Sequence, residues 1–176
     1  MSHNPYDEIA KVPTFTVTSS DVTDGEEMAP GHRSGIFGAG GEDVSPQLSW
    51  NGFPAETKSF AITMYDPSAP TGAGFWHWAV ADVPVTTTSV DTGAGNAVGS
   101  GLPAGALQLK NDASLAHYLG AAPPAGHGKH NYYIGIHALD VDSLGLDAGA
   151  TPSFLGFNMA GHTIARAVIT PWYEAK

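Results

Sequence analysis

The stretch YDPSAPTGAGFWHWAV, from Tyr65 to Val80, carries most of the information about the fold. It joins an acid at the end of an apolar segment, a turn rich in proline and glycine, and a histidine between two tryptophans. Apolar segments bounded by such turns are typical of β-strands. The stretch therefore predicts two strands, with Asp66 and His77 on the segments that flank their connection.

Strand periodicity assigns these side chains to faces, because residues two positions apart point to the same side of a sheet. In SFAITMYD the acid Asp66 ends a buried apolar row. In FWHWAVADV, His77 shares a face with Phe75, whereas Trp76 and Trp78 are predicted on the other face. Both faces are apolar, which indicates a central strand covered on both sides.

Glycine and proline, with 22 and 13 residues, separate further short segments of strand character. FTVTSS, PQLSW and HNYYIGIHALDV (His130 to Val141) are predicted strands, and VITPWY is predicted as the last one, with Pro171 at an edge. Thr151 and Pro152 indicate the N-cap and first residue of a helix over SFLGFNMAGHTIARA. A second short helix is predicted near Leu115. The fold class is mainly β, an antiparallel sandwich or barrel-like sheet with one or two peripheral helices.

Composition limits the possible functions and partners. The 176 residues fit a single domain, and a formal charge of −10 disfavours binding to nucleic acids or anionic bilayers. Without cysteine, disulfides and thiolate chemistry are excluded. No signal peptide and no apolar run of membrane-spanning length is visible, so we expect a cytoplasmic protein without integral membrane contact.

Four polar side chains lie at or near the ends of predicted strands: Asp66, His77, His130 and Tyr132. Each has an ordinary structural interpretation, as a turn residue or as a core residue bonded to a carbonyl. The loop PPAGHGKH before His130 adds glycines that can aim backbone amides at an anion. If the strands are neighbours, imidazole, phenol and amide donors converge on one small oxyanion site.

Five segments in this order resemble the phosphatidylethanolamine-binding proteins: SPQLSW, YDPSAP, GFWHWAVADVP, YLGAAPPAGHGKHNYY and GHTIARAVI. This family includes the Raf kinase inhibitor proteins, and its short bacterial and archaeal branch is the most similar. The resemblance covers Gly41 to the C-terminus. It implies a mainly antiparallel, Greek-key β-fold with a small anion pocket at one end.

By motif position, the resemblance places Asp66, His77, Pro124, His130 and Tyr132 in that pocket. It adds Tyr118 as a lining aromatic and Ala69–Pro70 as a candidate cis peptide. The family usually has a second acid where this chain has Ser68. The serine removes a negative charge from the rim of the pocket, so the binding of dianions is favoured. His127 is expected at the rim. The candidate ligand-binding residues are Asp66, Ser68, His77, Tyr118, Pro124, His130 and Tyr132.

The expected function is non-enzymatic, cofactor-free binding of phosphate-like or phospholipid-headgroup anions, such as phosphate or phosphoethanolamine. The resemblance also implies a regulatory role toward an unidentified protein partner, as in kinase- and protease-inhibiting members, and a homodimer. The alternative is a metal-dependent hydrolase with His77, His130 and Asp66 as a two-His-one-carboxylate set. A serine hydrolase using Ser68 is disfavoured, because no Gly-x-Ser-x-Gly motif surrounds it.

Overall fold

Antiparallel strands dominate the computed structural model of the chain, which describes residues 3–176. Two single-turn 3₁₀ helices, Pro5–Asp7 and Pro30–His32, precede most of the sheet. Within the described residues there are ten strands and one α-helix, in this order: β1 Thr16–Thr18, β2 Leu48–Asn51, β3 Ser59–Asp66, β4 Phe75–Pro84, β5 Ser89–Val90, β6 Leu107–Gln108, β7 His130–Asn131, β8 Tyr133–Leu139, α1 Pro152–Met159, β9 Thr163–Ile169 and β10 Trp172–Tyr173.

The main sheet has five strands in the order β6-β4-β3-β8-β9, with every neighbouring pair antiparallel. A three-stranded sheet, β1-β2-β5, packs over one of its faces, and β7 pairs with β10 separately. The main hydrophobic core lies between the two larger sheets, where the Trp50 ring meets the Phe60 ring edge-on at 5.5 Å. The predicted mainly antiparallel β-fold is confirmed.

Helix α1 begins where the sequence predicts it. The Thr151 hydroxyl accepts a hydrogen bond from the Phe154 amide at 3.1 Å, and Pro152 occupies the first turn. The buried side chains Leu155 and Met159 cover the outer face of the main sheet. No helix within residues 3–176 is long and apolar enough to cross a membrane.

The helix is shorter than the sequence suggests, and the residues after it form a strand. α1 ends at Met159, and Thr163–Ile169 form β9, which pairs with β8 in the main sheet. The β-branched residues of this segment favour strands, and sheet pairing outweighs the local helix propensity. Only Trp172–Tyr173 form the short final strand, because Pro171 interrupts the predicted VITPWY segment.

The short helix predicted near Leu115 is wrong. The Asn111 side chain organises this segment as a loop: its carbonyl oxygen accepts from the amides of Ala113 and Leu115 at 2.9 and 3.1 Å. Its amide nitrogen donates to the carbonyl of His117 at 3.0 Å. Asparagine side chains that bond to nearby backbone groups compete with helical hydrogen bonding.

The predicted strand His130–Val141 is divided at Tyr132. His130–Asn131 pair with β10, whereas Tyr133–Leu139 pair with β3 and β9. The Tyr132 amide donates to the Pro171 carbonyl at 2.9 Å. Tyr132 therefore lies at the point where the chain changes partners, and its ring is fully buried.

The predicted shared face of Phe75 and His77 is confirmed, since both line one cavity. The predicted shared face of Trp76 and Trp78 is wrong, because the strand contains a bulge at His77. Met64 pairs with Trp78 and Tyr65 pairs with Trp76, so His77 is an extra residue without a partner on β3. An inserted residue breaks the two-residue alternation. Trp78 consequently packs in the main core, whereas Trp76 lies on the outer face against the Tyr65 ring, 4.3 Å away.

The Ala69–Pro70 peptide is trans, as are all peptide bonds within residues 3–176, so the predicted cis bond is wrong. The Thr71 amide donates to the Ala69 carbonyl at 2.8 Å across Pro70. This three-residue turn suits the fixed φ of proline without a cis bond.

Candidate functional site

A cavity of about 170 Å³ opens where β3, β4 and the loop before β7 meet. Five of the seven candidate ligand-binding residues line it, from three separate parts of the chain. Its lining residues are Phe37, Asp66, Ala69, Pro70, Thr71, Phe75, His77, Ala122, Pro123, Pro124, His130 and Tyr132. The convergence predicted from the strand ends is therefore present in the structure.

A chain of hydrogen bonds runs from the buried acid to the rim. The Nδ1–H of His130 donates to Asp66 Oδ2 at 2.7 Å, and both side chains are almost fully buried. On its other side, His130 Nε2 lies 2.7 Å from Nδ1 of the exposed His127. Because the Ser68 amide donates to Asp66 Oδ1 at 2.8 Å, each carboxylate oxygen has a donor. The carboxylate charge is thereby compensated within the protein.

His77 projects into the same cavity from the β4 bulge. Its Nδ1 donates to the Leu119 carbonyl at 3.0 Å, while its Nε2 makes no hydrogen bond within residues 3–176. Burial lowers the pKa of this imidazole from its ordinary value of 6.5, partly offset by the bond to Leu119 and by Asp66. His77 is therefore neutral at pH 7 and presents an acceptor to a ligand.

Tyr132 is fully buried beside His77, with the two rings edge-on and their centroids 5.3 Å apart. Its hydroxyl has no hydrogen-bond partner within the described part of the chain. The nearby Ala122 amide partly offsets the rise that burial causes in the pKa of this phenol, although it does not reach hydrogen-bonding geometry with the hydroxyl. Burial and the nearby Asp66 raise this pKa, so the phenol keeps its proton and remains a donor.

Two candidate residues do not line the cavity. The Tyr118 hydroxyl donates to the His32 carbonyl at 2.8 Å, and its ring packs edge-on against Trp78 in the main core. Tyr118 precedes the loop in sequence, but this hydrogen bond turns its hydroxyl away from the ligand site. Ser68 contributes its backbone amide to Asp66, and its side chain is outside the lining.

Residues 18–174 match the family model described as phosphatidylethanolamine-binding protein. The chain belongs to this family. Among curated relatives, YbcL of Escherichia coli is 41% identical over 167 residues, covering 95% of this chain and 91% of that protein. YbhB of the same organism is 41% identical over 156 residues, covering 89% and 98%.

Solved structures support the same assignment. The crystal structure of E. coli YbcL, described as a new member of the mammalian family, superimposes with a TM-score of 0.89 at 42% identity. The alignment covers 92% of this chain and 99% of YbcL. A putative phosphatidylethanolamine-binding protein homologue from Chlamydia trachomatis gives a TM-score of 0.76 at 28% identity, covering 93% and 99%.

Seven lining residues of this family member are not among the candidate ligand-binding residues, and three of these, Phe37, Thr71 and Ala122, had no individual role assigned from the sequence. Phe37 comes from a loop far from the motifs, and no periodic pattern marks it. It is 56% exposed, which is unusual for a phenylalanine and is the structural signal that distinguishes it. Thr71 and Ala122 adjoin the Asp-Pro and Pro-Pro motifs, so only their neighbourhood could have indicated them.

The arrangement resembles part of a catalytic triad, because a buried acid orients a histidine. In this phosphatidylethanolamine-binding protein, however, the next group along the chain is the His127 imidazole and not a hydroxyl nucleophile. Nor do any three His, Asp or Glu side chains in residues 3–176 come together in a way that could hold a metal ion. The geometry therefore gives the hydrolase alternative no support.

Proposed function

We propose that the cavity between Asp66, His77, His130 and Tyr132 binds a small phosphate-like anion, either free or as the headgroup of a larger molecule. The protein acts here by binding alone, without a cofactor and without breaking a bond. The observation that carries the proposal is the fully buried Tyr132 hydroxyl that has no hydrogen-bond partner in residues 3–176. A buried donor without a hydrogen bond costs about 1–3 kcal/mol, and a hydrogen bond to an anion oxygen would recover this cost.

The size of the cavity limits the ligand. A volume of about 170 Å³ is below the range of about 300–1,000 Å³ usual for drug-sized ligands. The site therefore suits a phosphate group with a short substituent, and the acyl chains of a lipid would have to stay outside. Exposed Phe37 at the entrance offers apolar surface to such a substituent.

The protonation of the site favours an anion that carries its own proton. Neutral His77 leaves an acceptor nitrogen, which a P–OH group can satisfy while Tyr132 donates to another oxygen. Sulfate has the same shape but no proton at neutral pH. At pH 7.5 we therefore expect phosphate to bind more tightly than sulfate.

Inorganic phosphate and O-phosphoethanolamine are expected to bind with dissociation constants between micromolar and millimolar, as a few charge-assisted hydrogen bonds permit. The measurement is NMR of the imidazole signals at constant ionic strength. His77 and His130 should shift on titration, whereas His162, a half-buried histidine outside the cavity that pairs with Asp140 at 2.8 Å, serves as the internal control. If phosphoethanolamine binds at least as well as phosphate, the headgroup form is favoured over the free ion.

The pH dependence follows from the lowered pKa of His77. As pH falls below 6.5, the imidazole takes up a proton and becomes a donor, so sulfate affinity should rise. This rise should disappear in His77→Gln, which assigns it to His77 and not to another group of the protein. The proposal fails if His77 and His130 are unmoved at tens of millimolar phosphate, or if chloride shifts them equally.

Ser68→Asp is expected to weaken phosphate binding severalfold at pH 7.5. The new carboxylate lies two residues from Asp66 and adds a negative charge near the cavity. Ser68→Asn is the matched control, since it has the same shape without the charge and should bind as the wild type does. Calorimetry gives the dissociation constant of each variant. Equal phosphate affinity of Ser68→Asp and Ser68→Asn would contradict a charge effect at this position.

A further inference from the structure

A second and larger cavity, of about 350 Å³, lies on the outer face of the main sheet, away from the anion site. The N-terminal segment, α1 and the strands β3, β4, β8 and β9 enclose it. Ile9, Trp76 and Met159 are among the mostly apolar side chains of its wall. Its volume falls in the range of small-molecule sites, and its apolar wall with few polar groups is typical of them.

The charged side chain of this cavity is Arg166 of β9, and this residue is only 9% exposed. Its Nε donates to His137 Nδ1 at 3.1 Å, and its guanidinium carbon lies 4.7 Å from the centre of the Tyr6 ring. Within residues 3–176 its two terminal nitrogens make no hydrogen bond, and no carboxylate pairs with it. By contrast, Arg33 is paired with Glu27 at 2.9 Å.

The neighbours of Arg166 do not cancel its charge. Burial, followed by the Arg166 charge, lowers the pKa of His137 to about 3, so this imidazole is neutral. Its Nε2 is bonded to the Thr63 hydroxyl at 2.8 Å. Burial lowers the pKa of Arg166 itself, but a guanidinium keeps its proton and its charge in proteins at neutral pH.

The Tyr6 hydroxyl adds a second unsatisfied polar group at the cavity wall. It is buried over Gly135, where a β-carbon would come within 2.6 Å of it, and it makes no hydrogen bond of normal geometry in the described residues. Thr63 is near enough to affect the phenol but is already bonded to His137. Two terminal guanidinium nitrogens and a buried hydroxyl, none with a hydrogen bond in the described residues, therefore border the same apolar space.

We propose that this outer cavity binds a monocarboxylate with a short apolar chain, its carboxylate against Arg166 and its chain against the aromatic and α1 side chains. Guanidinium groups match carboxylates through two parallel hydrogen bonds, and two terminal nitrogens are available for them. Among the described residues that line this cavity there is no aspartate or glutamate, so no carboxylate of the wall would repel the carboxylate of the ligand.

Octanoate is the probe, and 1-octanol is its uncharged counterpart of the same chain length. Octanoate should shift the Trp76 indole and Arg166 Nε–H signals in NMR spectra, with at least tenfold higher affinity than octanol. Saturating phosphate should leave this binding unchanged, because the two cavities share no lining residue. Equal affinity for octanoate and octanol, or octanoate shifts confined to His77 and Tyr132, would overturn the proposal.

Two sets of variants test the two halves of the site. Arg166→Met should reduce octanoate affinity at least tenfold and leave octanol unchanged, while Arg166→Lys keeps the preference for the acid. Because loss of the bond to His137 endangers folding, Gly156→Leu provides an independent test. A β-carbon at Gly156 meets no atom within 4 Å, so leucine can extend into the cavity while raising helix propensity.

Gly156→Leu should abolish octanoate binding but retain phosphate binding, and Gly156→Ala, the control, should retain both. Retained octanoate binding in a folded Gly156→Leu protein would place the ligand elsewhere and contradict the assignment. Phosphate binding depends on a different cavity, so loss of one activity does not imply loss of the other.

Discussion

Asp66→Asn is expected to lower the free energy of unfolding by about 3 kcal/mol, because it breaks a buried pair and leaves His130 without its acceptor. The two side chains are exposed by only 4% and 1%. Asparagine has one acceptor oxygen where the carboxylate uses two, one for His130 and one for the Ser68 amide. The variant must therefore give up one of these bonds or reorganise the turn.

The same substitution should weaken phosphate binding about tenfold, equivalent to about 1.4 kcal/mol. Asp66 accepts the hydrogen bond from His130 Nδ1 and so fixes the orientation of that imidazole. Without this acceptor the His130 ring can turn over, and the hydrogen-bond chain to His127 is no longer aligned. Stability is measured by urea unfolding and affinity by calorimetry.

Asp82→Asn is the matched control for this prediction. It removes the same charge from the chain, at a position outside the cavity where φ is 55°, a conformation that asparagine accepts. We expect a loss of about 1 kcal/mol or less from its bonds to Ser143 and Leu144, and unchanged phosphate affinity. If Asp66→Asn and Asp82→Asn behave alike, the Asp66–His130 pair has no special role.

The fold was predictable where hydrophobic alternation and turn residues agreed. β3 runs over Ser59–Asp66 as expected, and α1 begins at its predicted cap. The errors arose where a nonlocal contact decides the local structure. The bulge at His77 depends on register with β3, and the break at Tyr132 depends on strand β10 further along the chain. Neither can be derived from the periodicity of one segment.

The candidate site was predictable to the extent that its residues are close to strand ends in the sequence. Asp66, His77, His130 and Tyr132 line one cavity because three segments end at the same edge. Alternation alone places His77 on the side of Phe75, the partner of Asp66, whereas the core position of Trp78 depends on the bulge. Tyr118 was assigned by motif position alone, whereas its hydroxyl depends on a partner at His32, 86 residues earlier.

Tyr132→Phe is expected to change stability and ligand binding in opposite senses. In the absence of ligand, removing a buried hydroxyl without a partner should raise the free energy of unfolding by about 1 kcal/mol, or about 2–4 °C in melting temperature. Phosphate affinity should fall about tenfold, because the anion loses a protonated donor that neutral His77 cannot replace. Thermal unfolding with and without phosphate measures both effects in one experiment.

Tyr118→Phe is the matched control for Tyr132→Phe, because it removes a buried hydroxyl that has a hydrogen-bond partner. Its hydroxyl is equally buried but bonded to the His32 carbonyl, so its loss should destabilise the protein by about 1 kcal/mol and leave phosphate affinity unchanged. Loss of a hydroxyl that serves only the packing lowers stability, as expected for Tyr118, whereas loss of a ligand donor that has no partner lowers affinity and raises stability. If Tyr132→Phe is destabilised with unaltered phosphate binding, the hydroxyl has a structural partner and the anion is bound by other groups.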